Sequence, residues 1–370
     1  MSTTPWYTIR NIDTIDTPGF VVYPDRIAEN IKRLIASIDN VSRLRPHIKT
    51  HKSSEVSRMM LDAGIRKFKC ATIAEAEMLA TAGAPDILLA YQPVGPKAQR
   101  LAALTKRFPA IAWACLIDNL DSAKHLAEVF ENSGQTISVF MDLNVGMNRT
   151  GIAPEDALPL FEACTALKGI TVTGLHAYDG HLRDTDLSIR TRRCDEAFAR
   201  VVKLQDEIAK RHGRKLTIVA GGTPTFSIHS KREEIECSPG TYIYWDKGYE
   251  QTLQEQHYLH AALVITRVVS IPADNTICVD LGHKAIASEN PLPNRVFFLN
   301  APELEPTGHS EEHMVFKSTP EKQYHVGDVL YGVPYHICPT VALHETAGVV
   351  VNHEVKEQWT TAARKRKLNF

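Results

Sequence analysis

The stretch Arg45-Pro46-His47-Ile48-Lys49-Thr50-His51-Lys52 crowds two lysines, two histidines and an arginine into eight residues. A basic run of this kind is ordinarily a solvated loop. It becomes chemistry when one lysine is desolvated among other cations, because both effects favour the neutral amine, and only that form attacks a carbonyl to give a Schiff base. If Leu44–Lys49 is a strand, alternation sends Arg45, His47 and Lys49 to one face and Leu44, Pro46 and Ile48 to the other. Lys49 is then the candidate nucleophile at the strand end. Lys52, beyond the strand, competes for the role but is expected to point to solvent or to neutralise an anion.

Two further stretches have side chains or backbone suited to a ligand. In Val219-Ala220-Gly221-Gly222-Thr223-Pro224-Thr225 an apolar run ends in two glycines and hydroxyl residues, so backbone N–H groups can approach a phosphate closely. Ser238-Pro239-Gly240-Thr241 repeats the arrangement. Farther on, Pro334-Tyr335-His336-Ile337-Cys338-Pro339-Thr340 holds a His-x-Cys pair. In an extended segment both side chains project from one face and can reach one metal ion, leaving positions open for water or substrate. Alone, such a pair is more often a strand-end histidine beside an inert cysteine.

The elements that must position these residues follow a rhythm. Gly19–Tyr23 reads as a strand, and Pro24-Asp25-Arg26 opens a helix with Ile27, Ile31, Leu34 and Ile35 at helical spacing. Eight short apolar runs follow: Leu44–Lys49, Phe68–Thr72, Asp86–Tyr91, Ile111–Asp118, Ile137–Leu143, Val172–Tyr178, Leu216–Gly221 and Glu234–Ser238. Most are separated by amphipathic stretches, such as Ser54–Ala63 and Leu187–Arg211. This α/β pattern predicts an eight-stranded (β/α)8 TIM-type barrel. A doubly wound open sheet fits less well, because no GxGxxG follows the first strand. Barrel sites gather at strand C-termini, which here carry His47, Lys49, Arg149, Tyr178, His181 and both glycine turns. From about Gln251 the pattern becomes alternating β-branched stretches with Pro, Gly and Asn turns, predicting a C-terminal all-β domain. The expected division is a barrel at 24–248 and a β domain at 251–370 joined by 1–23.

Composition narrows the partners. The 42 Lys+Arg against 43 Asp+Glu give a net charge of -1, so no global field draws the 370-residue chain to nucleic acid or an anionic membrane. No apolar stretch is long enough to span a bilayer, and Met1–Asn11 lacks the order of a secretory signal, so a soluble cytoplasmic protein is expected. The seven cysteines are dispersed without CxxC spacing, which argues against a disulfide framework. A Schiff-base lysine on the first strand and a phosphate cup on the last two suggest pyridoxal phosphate.

These residues carry a resemblance. Arg45–Lys52 resembles the lysine motif of the D-threonine aldolase and D-serine dehydratase family, pyridoxal-phosphate enzymes of the alanine racemase-like fold type. The likeness covers nearly the whole chain. It implies Lys49 as the Schiff-base lysine, Arg149 in Gly146-Met147-Asn148-Arg149-Thr150-Gly151 turned toward the cofactor, and Tyr178 beside the pyridine ring. It further implies Gly221, Gly222, Thr223, Gly240 and Thr241 as the phosphate site, with Tyr335 contacting the phosphate, and His336 and Cys338 as ligands of a divalent metal (Mn, Mg, Zn or Co). The implied assembly is a homodimer in which each β domain covers the partner's active site. Ser238 stands where racemases place an arginine against the pyridine nitrogen, and racemases lack the His-x-Cys pair, so lyase chemistry is expected over racemisation. The expected reaction is cleavage of a small D-β-hydroxy-α-amino acid such as D-threonine to glycine and acetaldehyde, with His181 a candidate base. The alternatives are dehydration of D-serine or D-3-hydroxyaspartate, and, in another class, a non-catalytic pyridoxal-phosphate carrier.

Overall fold

The computed structural model describes residues 4–370, which form two compact units. One comprises Arg33–Lys49, Ser54–Gly240 and Lys365–Phe370; the other comprises the chain up to Lys32, Thr50–Ser53 and Thr241–Arg364.

After β1 (Gly19–Val22) and α1 (Pro24–Ala36), the chain enters the first unit. Strands β2 (Lys67–Cys70), β3 (Asp86–Leu89), β4 (Ala112–Ile117), β5 (Ile137–Leu143), β6 (Ile170–Ala177), β7 (Thr217–Ala220) and β8 (Ile235–Cys237) make one parallel sheet in sequence order. Helix α2 (Ser54–Asp62) precedes β2, and between the strands run α3 (Ile73–Ala82), α4 (Pro96–Arg107), α5 (Leu120–Asn132), α6 (Ala157–Thr165), α7 (Leu187–His212) and α8 (Phe226–His229). The helix boundaries are set locally. Thr72 caps α3 by accepting from Glu75 N at 3.1 Å, Asn119 caps α5 by accepting from Ser122 N at 2.9 Å, and α7 runs from capping Asp186 to Gly213 with φ +62.

The two edges of this sheet meet through Leu44–His47. Leu44 bridges Cys237 of β8 and His47 bridges Lys69 of β2, both in parallel. Arg45 N donates to Cys237 O at 2.9 Å, His47 N to Pro239 O at 3.0 Å, and Lys69 N to Pro46 O at 2.9 Å. The wall is thereby an eight-membered barrel, as the repeat of apolar runs predicts. The expected strand Leu44–Lys49 is nevertheless too long. Pro46 has no N–H to give, and Ile48–Thr50 turns into a short 3-10 helix, so Lys49 lies past the wall rather than in it. The alternation that placed Lys49 on the face of His47 does not hold.

Charge fills one end of the barrel interior. Arg45, 3% exposed, donates Nε to Glu236 at 2.6 Å and both terminal nitrogens to Asp86 at 2.5 and 3.2 Å. Lys67 also bonds Glu236. The next layer is apolar, with Leu88, Ala114, Leu116, Phe140 and Val219 in contact. Gly174 faces Phe140 in register; a Cβ there would lie 2.1 Å from the ring.

The second unit holds α9 (Lys247–Thr252) and β9 (Ala262–Ala273), β10 (Thr276–Val279), β11 (Val296–Phe298), β12 (Glu305–His309), β13 (Met314–Lys317), β14 (Val329–Pro334), β15 (Thr346–Val351) and β16 (Glu354–Thr360), with α10 (Ile337–Leu343) after β14. They form a nine-stranded sheet in the order β12-β13-β10-β9-β1-β15-β16, with β14 pairing β9 and β11. Strand β1 is inserted antiparallel to β9 and parallel to β15. Val21, Tyr23, Leu263, Ile265, Tyr331, Val333 and Val350 pack as its core. His51, in the Thr50–Ser53 segment of this unit, is 2% exposed; its Nδ1 accepts from Ser53 N at 3.1 Å, while Nε2 is buried without a partner among the described residues.

Arg45→Met should destabilise the barrel by about 3 kcal/mol, because it leaves the buried Glu236 with Lys67 alone and the half-buried Asp86 without its cation; the urea midpoint of far-UV circular dichroism reads this. His51 gives a second expectation. Burial first, then Lys52, depresses its pKa to about 3, whereas the unfolded side chain titrates near 6.5. Its contribution to stability is therefore fully present above pH 6.5 and is lost as pH falls toward 3. Unfolding midpoints of His51→Phe should depend less on pH across that window than those of the parent chain.

Candidate active site

The residue singled out by sequence, Lys49, sits in the turn that follows the closing segment. It is half-buried, and its backbone N–H points to His47 Nδ1 at 3.3 Å. The local field is cationic. Among the charges acting on the buried amine of Lys69 are Lys49 and Arg45, both of which disfavour its protonation. Lys52 takes φ +51 and is also half-buried, and its carbonyl accepts from Ala363 N at 3.2 Å.

Beyond β5 the chain turns sharply through Gly146 (φ +119), Asn148 (φ +52) and Gly151 (φ +100). Asn144 Oδ1 accepts from Gly146 N and Asn148 N, both at 3.1 Å, and Asp118 Oδ2 accepts from Gly151 N at 3.0 Å. The turn delivers Arg149, whose guanidinium lies 5.1 Å from the ring centre of Tyr178, at the end of β6. Lys69 Nζ lies 5.6 Å from the same ring. Glycines make the room. A Cβ on Gly222 would meet Tyr178 Cε2 at 2.9 Å, and one on Gly180 would meet its hydroxyl at 2.1 Å.

His181 lies against Gly146, where a Cβ would meet His181 Nε2 at 2.8 Å. Burial lowers the pKa of His181, and the nearby charge of Asp179 only partly opposes this, so the imidazole is neutral at neutral pH. Its Nδ1 is buried without a hydrogen-bond partner among the described residues. The structure thus gathers four of the expected residues, Arg149, Tyr178, His181 and Gly222, and adds Lys69.

The glycine turns after β7 and β8 are tied together, since Thr223 Oγ1 accepts from Gly240 N at 3.1 Å. Gly221 has φ +74, a conformation open to glycine, and a Cβ there would meet His229 at 2.7 Å and Thr225 Oγ1 at 2.8 Å. Beneath the turn, Asp179 accepts from Thr225 Oγ1 at 2.7 Å and pairs with His229 Nε2 at 2.8 Å. Cys194 lies 3.4 Å from the same histidine nitrogen. These Asp, Cys and His atoms are close enough together to hold a metal ion. However, Arg232 donates to His229 Nδ1, which leaves the ring's proton on Nε2, pointed at Asp179. Burial, then Asp179, pushes the Cys194 thiol up to about 12. The cluster is a buried prop for the glycine turn, which sequence spacing did not reveal.

In the second unit, the expected extended geometry of the His-x-Cys pair is replaced. Strand β14 stops at Pro334, His336 occupies the N-cap position of α10, and Cys338 falls in its first turn. The pair still meets. Burial lowers the pKa of His336, but its hydrogen bond and charge interaction with Cys338 and its bond to the Glu289 carboxylate outweigh this and raise it to about 9. Cys338 Sγ lies 3.1 Å from Thr50 Oγ1 and 3.8 Å from Thr241 Oγ1. Asp246 accepts from Ile337 N at 3.1 Å. Tyr335 is half-buried, its carbonyl accepting from Gly248 N at 3.2 Å and its hydroxyl from Gln251 Nε2 at 3.4 Å. Glu289 is the residue sequence reasoning missed, since nothing in its spacing links it to His336.

With this geometry in hand, the comparisons are specific. Residues 22–247 match the family model described as alanine racemase, N-terminal domain, and residues 261–350 match a putative serine dehydratase domain. The chain is 29% identical to a D-threonine aldolase of Arthrobacter sp., over 95% of this chain and 93% of that one. It is 26% identical to a 3-hydroxy-D-aspartate aldolase of Paracoccus denitrificans (strain Pd 1222), over 95% and 92%. The crystal structure of D-threonine aldolase from Filomicrobium marinum matches with a TM-score of 0.87 at 25% identity, covering 96% of this chain and 98% of that one. This chain belongs to the alanine racemase N-terminal domain family, in its group of D-threonine aldolases and D-serine dehydratases.

Proposed function

We propose that the protein is a pyridoxal-phosphate- and divalent-metal-dependent lyase that cleaves small D-β-hydroxy-α-amino acids, with D-threonine to glycine and acetaldehyde as the leading reaction. The observation that carries the reading is the meeting of His336 and Cys338 at the start of α10, with Glu289 on the histidine ring. A pyridoxal-phosphate carrier has no use for such a pair. Family membership implies the cofactor, and the residues present fit it. Gly221 and Gly222 form a cradle that a Cβ would fill, and Ser238 Oγ, in a residue 3% exposed, has no hydrogen-bond partner among the described residues. The proposed division gives the barrel, 24–248, the cofactor, and the β domain, 251–370 with 1–23, the metal ligands, in a homodimer.

When bound, pyridoxal phosphate supplies an electron sink for the pair released as the Cα–Cβ bond breaks. A divalent ion on His336 and Cys338 supplies a Lewis acid that lowers the pKa of the β-hydroxyl. The remaining tasks fall to the chain. Lys49 is the covalent anchor, and its cationic surroundings favour the neutral amine. Backbone N–H groups of Gly221, Gly222, Thr223, Gly240 and Thr241, with Tyr335, bind the phosphate, while Arg149 and Tyr178 orient the ring. His181, held neutral by burial, takes the β-hydroxyl proton. The metal choice follows the donors: sulfur and imidazole suit zinc and cobalt better than manganese or magnesium.

Dehydration is the second reading, favoured by the match of residues 261–350 to a putative serine dehydratase domain. There Lys49 removes the α-proton and hydroxide leaves.

Metal-loaded protein should form glycine from D-threonine, and a chelator should lower that rate at least about a hundredfold. Pyruvate from D-serine without cleavage of D-threonine would instead establish the dehydratase. Glu289→Gln is expected to weaken metal affinity about 10–100-fold by freeing the His336 ring, measured by competition with a chromogenic chelator. Lys49→Ala should lose the visible cofactor band near neutral pH, and a retained band removes Lys49 from its role.

A further inference from the structure

We propose that Lys69, held in the barrel interior by His176 and Asp142, is a positioning residue whose charge sets the protonation of Lys49. This inference rests on the reading of Lys49 as the cofactor anchor.

Lys69 lies on β2 and is 2% exposed. A buried lysine is ordinarily paired directly with a carboxylate, but this one is not. Its Nζ lies 3.0 Å from His176 Nε2 on β6, and His176 Nδ1 lies 2.7 Å from Asp142 Oδ1 on β5. The direction of each bond follows from the charges. Burial alone would raise the pKa of Asp142, but the His176 hydrogen bond and charge, with Thr150 and Lys69, hold it below the usual range. The ionised carboxylate can only accept, so His176 Nδ1 carries the proton and Nε2 accepts from Lys69. Burial and then Lys69 lower the pKa of His176 despite Asp142, which keeps the imidazole neutral.

A neutral ring therefore separates the ammonium from its counter-charge. The charge on Lys69 is held apart from Asp142, and the backbone brings the Lys49 turn close to it: Lys69 N donates to Pro46 O at 2.9 Å, and His47, two residues before Lys49, bridges Lys69. The groups that share its surroundings come from every neighbouring element. Lys49 and Arg45 belong to the closing segment and its turn, Asp142 to β5, His176 and Asp179 to β6 and the residues after it, and Arg149 shares the Tyr178 ring with Lys69. Burial is the largest influence and lowers the pKa of Lys69; Asp142 raises it, Lys49 lowers it, Asp179 raises it and Arg45 lowers it, leaving it at about 7. Two amines coupled in this way do not hold their protons independently. Lys69 charged disfavours a proton on Lys49, and Lys49 charged disfavours one on Lys69. Below about pH 7, where Lys69 holds its proton, its charge thus opposes a proton on the Lys49 nitrogen and favours the neutral form that its chemistry needs.

The test uses the full chain loaded with pyridoxal phosphate and reads the pH midpoint of the visible cofactor band. Lys69→Gln removes the cation and should raise the midpoint by about one unit, while Lys69→Arg, charged at every pH, should lower it. His176→Phe should move it in the same direction as Lys69→Gln. A folded Lys69→Gln protein with an unmoved midpoint overturns the inference and leaves the anchor reading intact, provided that Lys49→Ala loses the band. A band kept in Lys49→Ala and lost in Lys69→Gln overturns both. Should Lys69→Gln fail to fold, 15N-lysine NMR of the parent chain decides. A resonance absent from Lys69→Arg, titrating at about pH 7 and moving upward in Lys49→Ala, supports the coupling. Titration among the surface lysines overturns it.

Discussion

The barrel depends on one buried guanidinium. Arg45 stands between Glu236 on β8 and Asp86 on β3, at the seam where the segment Leu44–His47 closes the wall. That segment has few backbone hydrogen bonds to offer. It contains Pro46, and its ties to its neighbours are those of Arg45 N, His47 N and Pro46 O. Side-chain ion pairs take over part of what a ladder would supply, and they also fix the register. A slip of one residue would send Arg45 to the outer face and leave Glu236 and Asp86 without it. Because the seam ends at His47, the chain leaves the wall immediately afterwards, and Lys49 falls in a turn at the barrel end instead of on its side.

The interior is layered in a way that follows from that seam. At one end sit Arg45, Glu236, Asp86 and Lys67. An apolar layer around Phe140 follows, with Gly174 yielding the space for the ring, and beyond it lies the chain of Lys69, His176 and Asp142. Polar groups at both ends of a barrel have different meanings. At the seam every charge meets an opposite charge directly, which is what structural burial demands. Near Tyr178 the charges are mostly of one sign, with Lys69 and Arg149 over one ring. That imbalance is costly to fold around and is useful to an amine that must stay neutral.

Much of this architecture was legible because it is periodic. Seven of the eight apolar runs are strands, each within a few residues of its expected ends, since a buried parallel strand has an apolar signature that survives without any knowledge of its partners. The eighth was read too far. Alternation describes side chains and says nothing about where the backbone partners stop, so the pattern overruns the wall into Ile48 and Lys49. The same limit affected His336 and Cys338, because α10 has only seven residues, too few for helical periodicity, and follows directly on a strand. Glu305–His309 and Glu354–Thr360 escaped notice for another reason: they form the two ends of the sheet order, and edge strands are polar. Lys69 did leave a signal. In Lys67-Phe68-Lys69-Cys70 a lysine recurs at alternate positions of a buried strand, and Asp142 and His176 are the single titratable residues of β5 and β6. Glu289 left none, because its meeting with His336 is made by the fold.

The wall of the barrel does not decide the reaction. Cleaving Cα–Cβ and expelling the β-hydroxyl both begin from the same anchored substrate and draw on the same electron sink. They differ in which proton leaves first. If the β-hydroxyl loses its proton, the carbon chain breaks; if the α-carbon loses its proton, hydroxide departs. A neutral imidazole at His181 suits the first, and a basic amine at Lys49 suits the second. A site that keeps Lys49 neutral through a charged neighbour also keeps it a weaker base, because the field that removes its proton opposes its taking another. Under the proposed function, Lys69 therefore bears on the choice of bond as well as on the anchor: a charge felt more strongly at Lys49 would move the balance away from α-proton removal and toward aldol cleavage.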